Sequence, residues 1–278
     1  MSRSRTITLT ALAMLAFAGN SLLCRVALRD SGIDAASFTT IRIVSGALVL
    51  WLVVRLRHGA PAGSGNWLSA AALFVYAAGF SFAYLSLGAA TGALLLFGAV
   101  QATMIGYGLA KGERFRGMQS AGLLLALAGL VGLLMPGLSA PPPAGSVVML
   151  GAGVAWGVYS LRGKAAGDPT RVTAGNFLRA VPIALVLSAA LWSRASVGGA
   201  GLAYAIASGA LTSGIGYAVW YSALPELKAT QAATVQLSVP VIAALGGIAL
   251  LGESPSLRLV LASVLILGGI ALVVREKK

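Results

Sequence analysis

Ten apolar stretches, each about as long as a bilayer is thick and divided by short breaks, constrain this chain more than any other feature. A helix needs about 20 mostly apolar residues to cross the hydrocarbon core. The spans read as 6–27, 36–54, 67–87, 91–110, 118–136, 145–163, 173–192, 200–223, 230–250 and 257–274. Proline, glycine and charge mark the breaks, as in RLRHGAPAGSGN (55–66), KGERFRG (111–117), PGLSAPPPAG (136–145) and GESPS (252–256). Within hydrocarbon each backbone amide must find its partner inside its own segment, which favours helices. The expected fold is therefore an all-α integral membrane protein with ten transmembrane helices. Charged residues make up 10% of the chain, against about 25% in a soluble domain.

The two halves of the chain resemble each other. ATGALLLFGAVQATMIGYGLAKGE (90–113) aligns with ATQAATVQLSVPVIAALGGIALLGE (229–253), and AGLVGLL (128–134) with GGIALVV (268–274). AFAGNS (16–21) corresponds to AWGVYS (155–160), Tyr84 to Tyr221, and TIR (40–42) to FLR (177–179). Five spans per copy is an odd number, so the second copy enters from the opposite side. That is an inverted repeat, the architecture of many secondary transporters, with a substrate site near the midplane. We divide the chain into a first repeat, 1–137, a Pro-rich linker, 138–144, and a second, inverted repeat, 145–278. The opening MSRSRTITLTALAMLAFAGNS has the look of a signal peptide, but its end recurs in the second half, so a retained first helix is expected.

The net charge of +13 needs no nucleic acid to explain it, because basic loops are held on the cytoplasmic side of a membrane. With the N-terminus inside, 14 lysines and arginines fall on that side and four, Arg25, Arg29, Arg194 and Arg258, on the other. Both termini are thus expected in the cytoplasm. The single cysteine, Cys24, excludes an intrachain disulfide, and the single histidine, His58, lies in a basic loop. A multi-ligand metal site or a Ser/His dyad lacks its residues. No cofactor and no enzymatic activity are expected; a monomer, a small-molecule cargo and the lipid bilayer suffice.

An aromatic or small residue before Asn20-Ser21, a basic residue a few positions on, an arginine early in span two, a tyrosine in span three and Leu-Gly-Glu (251–253) closing span nine recur in one order. In these the chain resembles the EamA family of the drug/metabolite transporter superfamily, over essentially its whole length. In the first half Lys111-Gly112-Glu113 replaces the usual Leu-Gly-Glu. The resemblance implies a ten-helix bundle around a central cavity lined by helices 1, 3, 4, 6, 8 and 9, working by alternating access in a bacterial inner membrane. It also implies export of amino acids or other metabolites, with YddG-type amino-acid exporters as the first subgroup to test and a multidrug exporter of cationic compounds as the alternative. Related small multidrug pumps carry a glutamate in their first helix, where this chain has Asn20.

No aspartate or glutamate falls within the ten spans. Proton-driven pumping generally uses an intramembrane ionisable group, so a carrier of neutral or zwitterionic solutes is favoured over a passive pore or an intramembrane enzyme. The candidate cavity residues are the polar and aromatic groups at mid-depth: Asn20, Tyr76, Phe80, Phe97, Gln101, Trp156, Tyr159, Tyr217 and Gln236. Apolar walls with a few polar groups suit an amphipathic small molecule, although the same residue types also join helices together. Pro240, in span nine, removes a backbone donor and is expected to bend that helix. Two charges, Arg42 and Arg179, lie within spans at matching repeat positions, each about 9 Å inside a helix end at 1.5 Å per residue. Their expected partners are Glu253 or Asp30/Asp34 for Arg42, and Glu113 or Asp168 for Arg179. The readings weighed are a side chain reaching the surface, a gating pair, or a contact to a substrate carboxylate.

Overall fold

The computed structural model describes residues 2–58, 64–112, 117–137, 140–163, 168–227 and 235–275. The described residues form helices joined by short turns and loops. They are α1 (Arg3–Asp30), α2 (Ala35–His58), α3 (Trp67–Tyr84), α4 (Ala89–Ala110), α5 (Gly117–Leu134), α6 (Pro143–Gly163), α7 (Pro169–Ala190), α8 (Gly199–Glu226), α9 (Ser238–Leu251) and α10 (Leu257–Arg275). The first eight are long and apolar enough to cross a membrane; α9 and α10 are shorter apolar helices in which the last two spans lie. α6 begins at Pro143, so the end of the expected linker already belongs to a helix. Proline is well placed at a helix start, where its missing N–H has no intrahelical partner to lose.

Partner helices come from opposite halves: α5 packs on α10, α2 on α7, α3 and α4 on α6, and α1 on α8 and α9. Leucines and valines of α5, α7 and α10 such as Leu124, Val131, Val186 and Val264 face outward, as a lipid-facing surface requires. The centre holds small residues and aromatics, with Ala13, Ala18, Phe38, Tyr84, Ala93 and Phe177 fully or almost fully buried.

The helix ends are fastened by short polar contacts. At the face where α1 ends, which we term the far face, the Asp34 carboxylate accepts from the Ala36 and Ser37 N–H groups (2.9 Å each), capping α2, and from the Ser196 N–H (2.9 Å). Burial alone pushes this carboxyl up, but the amides of Ser196, Ser37 and Ala36 outweigh it and hold Asp34 below the usual aspartate value. A pKa depressed on folding stabilises fully above the unfolded value, about 3.9, and that stabilisation is lost as pH falls through the folded value. Asp34→Asn is therefore expected to lower the thermal midpoint by a constant amount above pH 5. Below about pH 4 the gap from wild type should close, as thermal unfolding across this range would read.

At the opposite face, where α1 begins, Asn66 caps α3 by accepting from the Ser69 N–H (2.8 Å) while its own N–H donates to Asn176 on α7 (2.9 Å). Arg162 at the end of α6 donates to Ser69 (3.1 Å) and Asn66 (3.2 Å). These contacts draw α3, α6 and α7 together beneath the centre.

α8 departs from regular α geometry midway. Ser208–Ile215 winds as a π-helix between two α-helical segments. Such turns widen the helix, and they often occur at functional sites. Here the stretch turns Ser208, Thr212 and Ser213 inward as buried polar side chains.

Candidate functional site

Phe17, Asn20 and Ser21 of α1, Tyr76 and Phe80 of α3, Leu96 and Phe97 of α4, Trp156 of α6, and Thr212 and Tyr217 of α8 enclose one cavity at mid-depth. Its volume is about 20 Å³, room for roughly one water. Six of the nine residues selected from the sequence thus line one space. Helix nine contributes no lining residue to it among the described residues. Tyr159 lies nearer the opposite face, in a narrower space with Asn66, Arg162, Asn176 and Tyr221, and accepts from Asn176 (3.5 Å). Gln101 is buried on α4 away from the cavity, and Gln236 lies half-buried in the residues before α9.

One end of the cavity is polar. Asn20 Oδ1 accepts from Ser208 (2.6 Å) and Thr212 (3.2 Å), and Asn20 Nδ2 donates to the Tyr76 hydroxyl at 3.5 Å. The other walls are aromatic. Trp156 stands at their hub, with ring centroids 4.7 Å from Tyr76, 5.2 Å from Tyr217 and 5.3 Å from Tyr159. The sequence reading left out Ser208, Thr212 and Ser213. Their signal is SGALTSG (208–214), a polar cluster framed by glycines inside an apolar span.

Arg42 differs from the expectation. It is 2% exposed and turned inward, its Nε donating to Ser213 (3.2 Å) and its Nη2 to the Tyr76 hydroxyl (3.0 Å). The guanidinium carbon lies 5.2 Å from the Tyr76 ring centroid and 4.9 Å from that of Phe80. Glu253 is engaged elsewhere. It pairs with Arg25 (3.3 Å) and accepts from the Ala89 N–H at the start of α4 (3.0 and 2.8 Å). Asp30 pairs with Arg29, and Asp34 caps α2. The physical reason is rotation about the helix axis: Gly209 brings α8 against α2 at Arg42 itself, so the side chain leaves on the cavity side and not toward the surface.

Arg179 is fastened to backbone among the described residues. Its Nη1 donates to backbone carbonyls, Ser64 (3.2 Å) and Gly175 (2.9 Å), since Gly175 lets the residues before α3 approach α7 closely. Asp168 caps α7 through the Thr170 and Arg171 N–H groups. Glu113 lies outside the described residues. Pro240 falls in the first turn of α9, and the helical geometry present at Val235 and Gln236 breaks at Leu237, three residues before it, an interruption within span nine. A proline at 240 removes the helical donor for the carbonyl four residues back, at Gln236, next to this break.

A family profile described as the EamA-like transporter family matches residues 143–275. An uncharacterised protein of Pseudomonas aeruginosa is 59% identical over the whole chain and 97% of its own length. The chain belongs to the EamA-like transporter family. An uncharacterised transporter of Archaeoglobus fulgidus is 27% identical over 97% of both chains. The threonine/homoserine exporter RhtA of Salmonella typhimurium is 36% identical over 141 residues, 48% of this chain and 46% of that protein. A crystal structure sharing 20% identity superposes with a TM-score of 0.69 over 98% of each chain, a likeness of fold. As an EamA-like transporter the chain is a multi-pass membrane protein, and the central cavity lies where two halves of such a bundle meet.

Proposed function

We propose that this EamA-like transporter is a secondary carrier exporting small metabolites, amino acids above all and aromatic or other neutral ones first, across the bacterial inner membrane by alternating access. The observation carrying the proposal is the amphipathic cavity at mid-depth, with amide and hydroxyl groups at one end and aromatic rings around the rest. An amino acid combines a dipolar end with a side chain, and the cavity offers matching surfaces for both. The exporter RhtA, similar over half the chain, has cargo of that class by name.

The cavity's size fits a conformer from which cargo is excluded, and the aromatic walls part when it loads. Contacts at both faces oppose a continuous pore: the Arg25–Glu253 pair on one side, the Asn66–Arg162–Asn176 cluster on the other. With both termini in the cytoplasm, the far face is the external one. No carboxylate lines the central cavity among the described residues, so the solute's own gradient drives transport.

Counterflow in proteoliposomes is the test. Preloaded unlabelled threonine or phenylalanine is expected to accelerate uptake of the labelled form, with saturation. Linear, non-saturating flux would indicate a pore, and acceleration by cationic drugs alone would select the multidrug alternative.

A further inference from the structure

We propose that Arg42, acting through the Tyr76 hydroxyl, makes the central cavity select cargo that carries a carboxylate. The inference rests on the carrier reading and deepens it.

A guanidinium remains protonated under all conditions a protein meets, so Arg42 places a full positive charge at the heart of the bundle. Buried charges are ordinarily paired. Here the partners are neutral: the Ser213 hydroxyl, the Tyr76 hydroxyl and the faces of Tyr76 and Phe80. Nη1 is buried without a hydrogen-bond partner. Among the described residues no carboxylate comes within ion-pairing distance of Arg42, because Asp30 and Glu253 are held by Arg29 and Arg25 and Asp34 by backbone amides. The aromatic rings and polar hydroxyls lower the cost of this charge but do not neutralise it.

The hydrogen-bond arrangement passes that charge to the cavity wall. The Tyr76 oxygen accepts from Arg42 Nη2 and from Asn20 Nδ2, which leaves its own proton to donate. Tyr76 lines the cavity. A phenol that accepts from a cation becomes a stronger donor in turn, since linked hydrogen bonds polarise one another. The polar end of the cavity therefore presents a donor backed by a positive charge, which favours an anionic oxygen. The rings of Trp156, Tyr217 and Phe97 supply faces on which an ammonium is attracted. Together the two ends suit a zwitterion, while a cation without an anionic group gains the rings but meets the Arg42 charge unshielded.

The experiment compares L-phenylalanine and L-threonine with their carboxamides, which keep the ammonium and side chain but lose the anionic oxygen. Wild-type protein in proteoliposomes is expected to take up each acid with a kcat/KM at least about tenfold above its amide. Arg42→Gln should lower uptake of the acids about tenfold or more relative to that of the amides, which no longer meet the Arg42 charge, so that the ratio falls toward one. Arg42→Lys should retain part of the preference, and Tyr76→Phe should fall between wild type and Arg42→Gln. The ratio reports selectivity, which a loss of folded protein alone does not move.

Equal loss of acid and amide in Arg42→Gln and Arg42→Lys alike would overturn the inference and leave Arg42 a structural residue. A wild type that moves acid and amide equally with saturation would overturn it too, while the carrier reading stands. A wild type that moves neither would remove the amino-acid reading, and this inference with it.

Discussion

Glu253→Ala is expected to open the far face of the bundle, raising the rate at which a maleimide labels Cys24 by about 30-fold. Cys24 is fully buried and adjacent to Arg25, so it reports opening at that point without an added probe. The Glu253 carboxylate gathers several elements. Arg25 of α1 donates to it, and so does the Ala89 N–H at the start of α4, where the helix dipole also favours an anion. Arg25 Nη1 in turn donates to the Tyr84 carbonyl at the end of α3 (3.0 Å). Gly88 and Gly247 lie against the carboxylate with no side chains of their own to hold it off. The two charged side chains are only 16% and 17% exposed, so solvent weakens the pair less than it would at a surface. A charge-assisted set of this kind contributes about 2 kcal/mol to the closed form, and a loss of that size multiplies the open population about 30-fold.

Glu253→Gln should give a smaller acceleration, because its amide oxygen still accepts from Ala89 but no longer attracts Arg25 as a charge. Asp30→Asn serves as the comparison. Its exposed pair with Arg29 contributes little, as solvated pairs generally do, and labelling should stay at the wild-type rate. If Cys24 reacts at one rate in all these proteins, the carboxylate does not hold the far face shut.

Depth and polarity were readable from the sequence because they depend on axial position, which residue spacing gives directly. Asn20, Tyr76, Phe80, Phe97, Trp156 and Tyr217 were selected on those grounds, and all six line the same cavity. Rotation about each helix axis was less legible. Gln101 and Gln236 met the same criteria of depth and polarity but lie away from the lining, because their helix faces are set by neighbours distant in the chain. Arg42 gives the clearest case: its distance from the helix end suggested a reach to the surface, whereas contact with α8 turns it inward. The π-helical turn of α8 is a change in backbone hydrogen-bond register, and residue order does not disclose that register. What the sequence does show is its consequence, Ser208, Thr212 and Ser213 together in an otherwise apolar span.

The largest loss of stability is expected from Gly209→Ala. A Cβ at this position would meet the Arg42 carbonyl and the Ser45 hydroxyl of α2 at distances no packed atoms sustain. A flexible side chain could move aside, but a helical backbone carbonyl yields only if the whole of α2 shifts from α8. Gly46 belongs to the same crossing: a Cβ there would come within 3.1 Å of the Gly209 carbonyl and 2.7 Å of the Phe177 ring. Close approach of backbones at small residues is a principal source of helix association in membranes, where apolar side chains gain little over lipid. Overpacking costs about 1–3 kcal/mol. With backbone on both sides the upper end applies, and a midpoint drop of roughly 5 °C follows for a chain of this size.

The same displacement should reduce the preference for an acid over its amide, since Arg42 would lose its approach to Ser213 and Tyr76. Gly151→Ala on α6 provides the contrast. Nothing lies within 4 Å of a Cβ there, and alanine in place of glycine in a helix favours the folded form by about 0.5–1 kcal/mol, so the midpoint should hold or rise. If Gly209→Ala melts with wild type, α2 and α8 do not meet at a close backbone contact. The inward turn of Arg42 would then come from its hydrogen bonds to Ser213 and Tyr76 alone, and Tyr76→Phe would loosen it.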